Sequence, residues 1–252
     1  MRNLLKTLAL ASTIAVSFLM PTVRADDFVK GMRGPTDHQA DLRLAYSEND
    51  AGVKATTETL LLKYWDGKEI GKFGLLAIPY KQIDTPKSSS EGVGDLTLSL
   101  GPRASFGKSL HFMSYAGLTL PTGDDKAKPA LGTGRIDLKL GLTGTYQFPD
   151  KKSELDLAIE RTFTGEDRRG VNPTDETYFG VFAGRTLTDR LKFGLGFTEF
   201  RKDNGDYTAS LRAIARYTFS PNWHGEVVVD KSIATENMPS WQSRGLFVRH
   251  NF

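Results

Sequence analysis

Cysteine is absent from the 252 residues, which excludes a disulfide framework, a thiolate nucleophile, a cysteine metal site and a lipid anchor on an N-terminal cysteine. Long apolar runs are missing after residue 25, so no later segment has the roughly 20 apolar residues that a membrane-spanning helix needs. Excess charge of one sign is missing too. The chain has 33 Lys and Arg against 30 Asp and Glu, but three of the basic residues lie in the first 25. The chain after residue 25 therefore has no net formal charge, which gives no electrostatic basis for nucleic-acid binding.

The first 25 residues have the organisation of a cleavable export signal. A basic start and an apolar stretch from Leu8 to Leu19 precede Ala25, a small residue of the kind found at cleavage sites. The apolar stretch is too short to span a membrane as a helix. We predict a signal peptide over 1–25, a short periplasmic segment over 26–37 and a folded domain over 38–252.

Polar and apolar residues alternate through the rest of the chain, most clearly over 136–148, 96–106 and 207–219. In the first of these, Leu138 and Leu140 share one parity, and Asp137 and Lys139 share the other. Because side chains alternate across a strand, one face suits hydrocarbon and the other suits water. About twelve such segments occur, an even number as bacterial barrels require. We therefore predict an all-β fold, a transmembrane antiparallel up-and-down β-barrel of about 12 strands.

Two of the segments do not reveal which face is which. The segments that begin at Lys72 and Thr177 are apolar at both parities, so their faces stay unassigned. A soluble β-sandwich or small-molecule-binding barrel would also alternate, but its apolar face would be buried in a core. The export signal and the C-terminal Phe252 favour the membrane barrel.

The connections between segments alternate in length. Tight turns rich in Gly, Pro, Asp and Ser alternate with longer polar loops, and short turns belong to the periplasmic side of such barrels. The termini of the barrel are therefore predicted to lie in the periplasm. The predicted outer loops cover about 48–55, 81–93, 121–133, 164–176, 201–206 and 234–241.

Three glycine-rich motifs carry a family resemblance. The segments Gly92–Leu98, Leu120–Asp124 and Gly132–Leu138 resemble those of the outer-membrane β-barrel family named for a meta-pathway of phenol degradation, whose members are often labelled transporters. The resemblance is strongest over about 90–200. It implies a barrel in the outer membrane that takes up hydrophobic or aromatic compounds.

An approximate repeat of about 40 residues underlies these motifs. Gly94–Gly101 echoes Gly134–Gly141, and Thr119–Asp124 echoes Thr162–Glu166. This spacing is expected if the repeated unit is one hairpin with its connection. The motifs are therefore interpreted as fold architecture rather than as a ligand site.

Candidate catalytic residues are few. The four histidines, His38, His111, His224 and His250, fall near the periplasmic ends of their strands, whereas an enzyme that acts on outer-leaflet lipid would need its base near the outer rim. The carboxylates of two neighbouring outer loops are Asp124, Asp125, Glu166 and Asp167, and solvated loop charge is favoured over Ca²⁺ binding. We predict no catalytic residue, no metal site and no cofactor.

The inward parity carries charges of both signs. About twelve strands enclose a bore wider than a side-chain-filled eight-stranded barrel and narrower than a large porin. Opposed charges either bridge across this bore and close it, or line a narrow wet path, and both signs together argue against a simple ion filter. The residues predicted to line the lumen are Asp95, Arg103, Arg135, Asp137, Lys139, Arg212 and Arg216.

The sequence thus predicts a monomeric outer-membrane channel for passive uptake of small hydrophobic or aromatic solutes, by diffusion through the lumen or by lateral escape between strands. Its expected partners are outer-membrane lipid and lipopolysaccharide, a small-molecule solute, and the barrel-assembly machinery through the strand that ends in Phe252. Two alternatives remain: a non-conducting structural or surface-binding barrel, and an outer-membrane lipid-modifying enzyme.

Overall fold

A computed structural model describes residues 38–65, 70–107, 109–167, 170 and 173–252. The predicted signal peptide, the segment 26–37 and the predicted turn 66–69 lie outside the described residues. The described residues fold as β-strands and connections, and none of them belongs to a helix that is long and apolar enough to cross a membrane. The strands are β1 (His38–Asn49), β2 (Lys54–Trp65), β3 (Ile70–Asp84), β4 (Ser89–Val93), β5 (Leu96–Phe106), β6 (Leu110–Leu120), β7 (Asp137–Gln147), β8 (Ser153–Phe163), β9 (Glu176–Thr186), β10 (Leu191–Lys202), β11 (Tyr207–Ser220), β12 (Trp223–Glu236) and β13 (Trp241–Asn251).

The strands form one closed antiparallel barrel. Consecutive strands pair with each other except β4 and β5, which both pair with β3, and β1 pairs with β13, so the sheet closes on itself. Following the register once around the barrel returns to β1 displaced by about 14 residues, and for twelve strands such a shear corresponds to a tilt of about 40°. The predicted up-and-down barrel is confirmed.

The thirteenth strand is an extension of the mouth. β4 pairs with Tyr80–Asp84 at the outer end of β3, whereas β5 pairs with Ile70–Ala77 further down the same strand. β4 and β5 therefore follow one line along β3, interrupted by Gly94 and Asp95. Because β4 and β5 together occupy one position in the wall, the barrel is twelve-stranded, as the alternation predicts.

Lipid-facing and inward residues alternate as expected in the clear segments. The outward Leu100 and Leu140 expose 58% and 46% of their surface, whereas the inward Asp137 and Thr143 expose 5% and 1%. Apolar side chains on the outside and polar ones on the inside are the reverse of a soluble β-protein core. Hydrocarbon around the wall is the solvent that makes this arrangement stable.

The two strands with unassigned faces are resolved by the structure. In β3 the inward residues are Phe73, Leu75 and Ala77, and in β9 they include Tyr178 and Phe182. All five are buried. Both parities of these strands are apolar because one apolar face meets lipid and the other packs inside the barrel.

The loops differ between the two ends of the barrel. One end, called here the mouth, carries the long connections 121–136 and 164–175, and the other end carries short turns. The predicted long loop 81–93 is instead a hairpin of β3 and β4, and the loops near 50, 203 and 237 are shorter than predicted. The alternation continues past the polar residues there, so the strands extend further toward the mouth.

Candidate functional site

The polar side chains inside the barrel are almost inaccessible to water. Asp41 and Thr198 expose 0% of their surface, and Arg212 exposes 3%. Such values mean that these side chains are packed against neighbouring groups on the inner wall. Their ion pairs join neighbouring strands, as between Arg212 of β11 and Asp230 of β12.

The first ionic group joins β1, β2 and β13 near the turn end of the barrel. The Asp41 carboxylate accepts hydrogen bonds from Arg249 Nε at 2.9 Å, Arg43 at 2.7 Å and Lys63 Nζ at 3.2 Å. Gln39 bonds Asn251 across the same strands at 2.7 Å. Three cations around one buried carboxylate satisfy it fully and tie the first strand to the last.

The second ionic group lies on β11 and β12, where the register places opposite charges directly across from each other. Arg212 faces Asp230 and Arg216 faces Glu226. Arg212 Nε lies 2.9 Å from both carboxylate oxygens of Asp230, and Arg216 Nε lies 2.6 Å from Glu226 Oε2. These two predicted lining residues therefore sit on the inner wall in paired form.

Arg103 and Lys139, both predicted to face inward, each contact a side chain of another strand. The Arg103 guanidinium lies 3.4 Å from the centre of the Trp65 ring, within the range of a cation–π contact. Lys139 Nζ lies 3.5 Å from Glu160 Oε1, and the hydroxyl of Tyr115 donates to Glu160 Oε2 at 2.6 Å. The carboxylate of Glu160 thus links β6, β7 and β8 from the inside.

Asp95 holds the long loop 121–136, called here the mouth loop. Its carboxylate accepts hydrogen bonds from the backbone N–H of Gly123 at 3.0 Å, from that of Thr133 at 2.6 Å and from the Thr133 hydroxyl at 2.8 Å. Further along the loop, Leu131 packs against Ala55 and Ile83. The mouth loop therefore folds inward over the ends of β2 and β3.

Asp137 makes the equivalent contact in the next repeat. It accepts a hydrogen bond from the backbone N–H of Gly165 at 3.1 Å and another from Arg135 Nε at 2.8 Å. The sequence separation from Asp95 to Gly123 and from Asp137 to Gly165 is 28 residues in both cases. The repeat is thus a structural unit of one hairpin. A carboxylate at the mouth end of its first strand accepts a hydrogen bond from the loop that follows its second strand.

Apolar side chains fill two other parts of the interior. One cluster lies on β2, β3 and β6, and the other lies across the barrel on β9, β11, β12 and β13. Neither cluster was predicted, because inward apolar residues erase the alternation that reveals a face. The clusters comprise Leu61, Phe73, Leu75, Ala77, Met113 and Tyr115 in the first, and Phe182, Ile214, Val228 and Phe247 in the second.

The seven predicted residues face the interior or the mouth but do not converge on one point. Arg212 and Arg216 pair on one wall, Lys139 binds Glu160 and Arg103 stacks on Trp65. Asp95 and Asp137 hold loops, and Arg135 binds Asp137. The role of the seven residues in lining a solute path stays a prediction. The group around Asp41, Lys63 and Arg249 was missed, although its inward parity on β1, β2 and β13 is visible in the sequence.

The histidines bind structural partners near the turn end. His111 Nδ1 lies 2.9 Å from Ser105 Oγ, His224 Nδ1 lies 3.1 Å from Thr218 Oγ1, and His250 stacks between two aromatic rings, Trp223 and Phe252. The side chain of His38 lies outside the description. Within the described ranges, no three His, Asp or Glu residues are grouped so that they could hold a metal ion.

Solved structures share this barrel. The chain is similar to an outer membrane channel from Pseudomonas putida F1, with a TM-score of 0.73, 17% identity and coverage of 86% of this chain and 96% of that one. It is also similar to the NanC porin (0.57, 11% identity, 84% and 100% covered) and to the CymD monoaromatic hydrocarbon channel (0.56, 10% identity, 96% and 98% covered). At these identities the likeness concerns the fold.

No curated protein matches the sequence. The family described as "Putative MetA-pathway of phenol degradation" matches residues 6–246, which is nearly the whole chain and includes all three glycine-rich motifs. Since the match spans the barrel from its first strand to its last, this protein belongs to that family.

Proposed function

We propose that the protein is an outer-membrane channel for passive uptake of small, uncharged hydrophobic or aromatic solutes. The observation that carries the proposal is the composition of the interior. Its charges are compensated, as in the Arg212–Asp230 pair, and apolar clusters occupy two opposite walls. Such an interior offers no field that concentrates ions of one sign, but it offers apolar contact to a ring.

The structural relatives support the same direction. One is a channel of the outer membrane and another is a channel for monoaromatic hydrocarbons, and both have barrels that superimpose along most of this chain. Under this proposal the chain is exported by the signal over 1–25, inserted by the barrel-assembly machinery through the strand that ends at Phe252, and surrounded by phospholipid and lipopolysaccharide. It has no catalytic role.

Growth and uptake test the proposal directly. A deletion strain is compared with the same strain carrying the gene, with phenol, toluene, an alkane or an aromatic acid as sole carbon source at limiting concentration. We expect slower growth and slower initial uptake of an uncharged solute in the deletion strain. Equal uptake of every solute in the two strains would refute the channel function.

The packed interior specifically favours one alternative, a non-conducting structural or surface-binding barrel. Planar-bilayer conductance distinguishes a solute channel from a non-conducting barrel poorly, because a packed lumen passes few ions in both cases. Solute uptake separates them well, since only the channel accelerates it. Lys139→Ala and Asp137→Ala should change uptake if these residues border the path, and unchanged uptake would place them outside it.

A further inference from the structure

We propose that solute leaves the barrel sideways, through a seam in the wall between β5 and β6, directly into the hydrocarbon of the membrane. The wall seam consists of Gly101 and Pro102 on β5 and of Ser114 and Tyr115 on β6. This inference rests on the proposed uptake function and locates its exit. It is carried by three independent features of this part of the wall: its hydrogen bonding, its outer surface and its inner covering.

The hydrogen-bonded ladder is interrupted at the seam. Pairing between β5 and β6 runs from Leu96 to Leu100, omits Gly101 and Pro102, and resumes at Arg103. The register is the same on both sides, so no residue is inserted and the interruption is not a bulge. Pro102 has no N–H to donate, and proline is normally confined to edge strands or bulges. The wall therefore lacks part of its hydrogen-bonded ladder here.

The seam is nevertheless closed by close contact. A Cβ atom on Gly101 would lie 1.9 Å from the carbonyl oxygen of Ser114, so only glycine allows the two backbones to approach this closely. By contrast, the ladder between β6 and β7 is continuous from Leu110 to Thr119. Separating β5 from β6 at the seam breaks van der Waals contact but few hydrogen bonds.

A groove opens on the lipid-facing side of the seam. It has a volume of about 590 Å³, which is within the range of small-molecule sites. It is lined by the small residues Gly101, Ser114 and Ala116 and by larger side chains that are apolar except for Arg161. An uncharged aromatic molecule fits both the size and the chemistry, and it would pass from the groove into lipid without crossing water.

The side chain of Tyr115 lies on the inner face of the wall, beside the seam. Its ring lies over Gly141 of β7, where a Cβ atom would come within 2.1 Å of the tyrosine Cζ. The same ring contacts Phe73 edge-to-face at 6.3 Å and belongs to the apolar cluster on β2, β3 and β6. Its hydroxyl is held by Glu160 at 2.6 Å. The interior apolar cluster and the outer groove are thus separated by one aromatic ring and a glycine-lined stretch of backbone.

In this proposal, movement of the Tyr115 ring opens and closes the path from the interior cluster to the seam. A planar apolar solute in the interior cluster would replace the contact that Tyr115 makes with Phe73, which lowers the cost of moving the ring away from the wall. The hydrogen bond to Glu160 limits how often this happens without solute. Ions gain nothing from this exit, because the groove is mostly apolar and opens into hydrocarbon.

The test fills the groove and leaves the interior unchanged. In Ser114→Trp a large indole occupies the groove from the lipid side, and Ala213→Trp is the matched control, because Ala213 is also half-buried, outward-facing and mid-strand, but on β11 in the opposite wall. The assay is initial uptake of radiolabelled toluene by cells with intact lipopolysaccharide that express each variant at equal folded level.

We expect Ser114→Trp to reduce toluene uptake to the level of cells without the protein, and Ala213→Trp to leave it at the wild-type level. Equal uptake by the two variants would overturn the wall seam as the exit while leaving the channel function standing. Uptake by wild-type cells no faster than by cells without the protein would instead refute the channel function, and the seam with it.

A second experiment avoids any effect of tryptophan on folding. The chain has no cysteine, so Ser114→Cys and Ala213→Cys each supply a single thiol in the assembled barrel. Modification with a benzyl methanethiosulfonate should block toluene uptake in Ser114→Cys, a reductant should restore it, and Ala213→Cys should be indifferent. Unchanged uptake after complete modification of Ser114→Cys would contradict the proposal.

Discussion

Replacing Asp95 by Asn should release the mouth loop from the barrel rim. The carboxylate of Asp95 accepts one hydrogen bond on Oδ1, from Gly123, and two on Oδ2, from Thr133. An amide has only one acceptor oxygen, so one side of the contact becomes donor against donor. Hydrogen bonds to a charged group contribute about 1.5–3 kcal/mol each, so the loss of one or two, with the new mismatch, should weaken the contact by about 2–4 kcal/mol.

Such a loss corresponds to an increase on the order of 100-fold in the population with the mouth loop open. Trypsin reports this population, because Lys126 lies in the mouth loop and cleavage of a transiently open segment follows its equilibrium when opening is fast. We expect faster cleavage after Lys126 in Asp95→Asn than in the wild type, in detergent-purified folded barrels.

The control for this experiment is Asp84→Asn. It makes the same change of charge at the same rim, where the side chain of Asp84 accepts a 3.4 Å hydrogen bond from Gln82. Its cleavage rate should stay near the wild-type value. If Asp95→Asn were cleaved no faster than Asp84→Asn, the carboxylate of Asp95 would not be what holds the loop, and the reasoning from its three hydrogen bonds would be wrong.

Three further predictions concern the ionic groups and a histidine. Arg212→Met should destabilise the barrel by about 3–5 kcal/mol in urea titration, because it leaves Asp230 buried without its partner, and Arg212→Met/Asp230→Leu should recover most of that loss; a double variant no more stable than the single one would contradict this. Hydrogen bonds from Arg161 lower the pKa of Asp203, so the stabilisation from this pair is present above the ordinary aspartate pKa and is lost only as pH falls through the lowered value; an NMR titration of Asp203 should show this, and an ordinary midpoint would not fit. His111→Ala should leave toluene uptake unchanged, and a loss would implicate the Ser105–His111 pair.

The barrel was predictable from the sequence because lipid outside and polar groups inside impose a period of two on every clear strand. The rule failed in the strands that contain Leu75 and Phe182, since these inward residues pack in apolar clusters and remove the contrast between parities. The sequence predicts a loop at the hairpin extension Ser89–Val93, because its residues are mostly small and polar. Pairing with the outer end of β3, which is not visible in local composition, makes it a strand.

The candidate site was predictable residue by residue but not as an arrangement. Parity placed Arg212 and Arg216 inward, and the observed register then brought each opposite a carboxylate. The role of Asp95 depends on the path of the mouth loop, which periodicity does not define. The 40-residue repeat carried that information, since the same Asp-to-Gly contact occurs twice at the same separation, but a repeat alone does not say which atoms meet.

The hydrogen bond between the carboxylate at the start of a hairpin and the outer loop of that hairpin bears on how barrels of this kind can gain strands. Because Asp95 and Asp137 each secure a connection within their own hairpin, each of these two repeats contains a hydrogen bond that holds its own outer loop. Duplicating one such hairpin would add two strands to the barrel, together with the carboxylate that holds their outer loop. A protein assembled this way can widen its circumference step by step, and the rim stays ordered at each step.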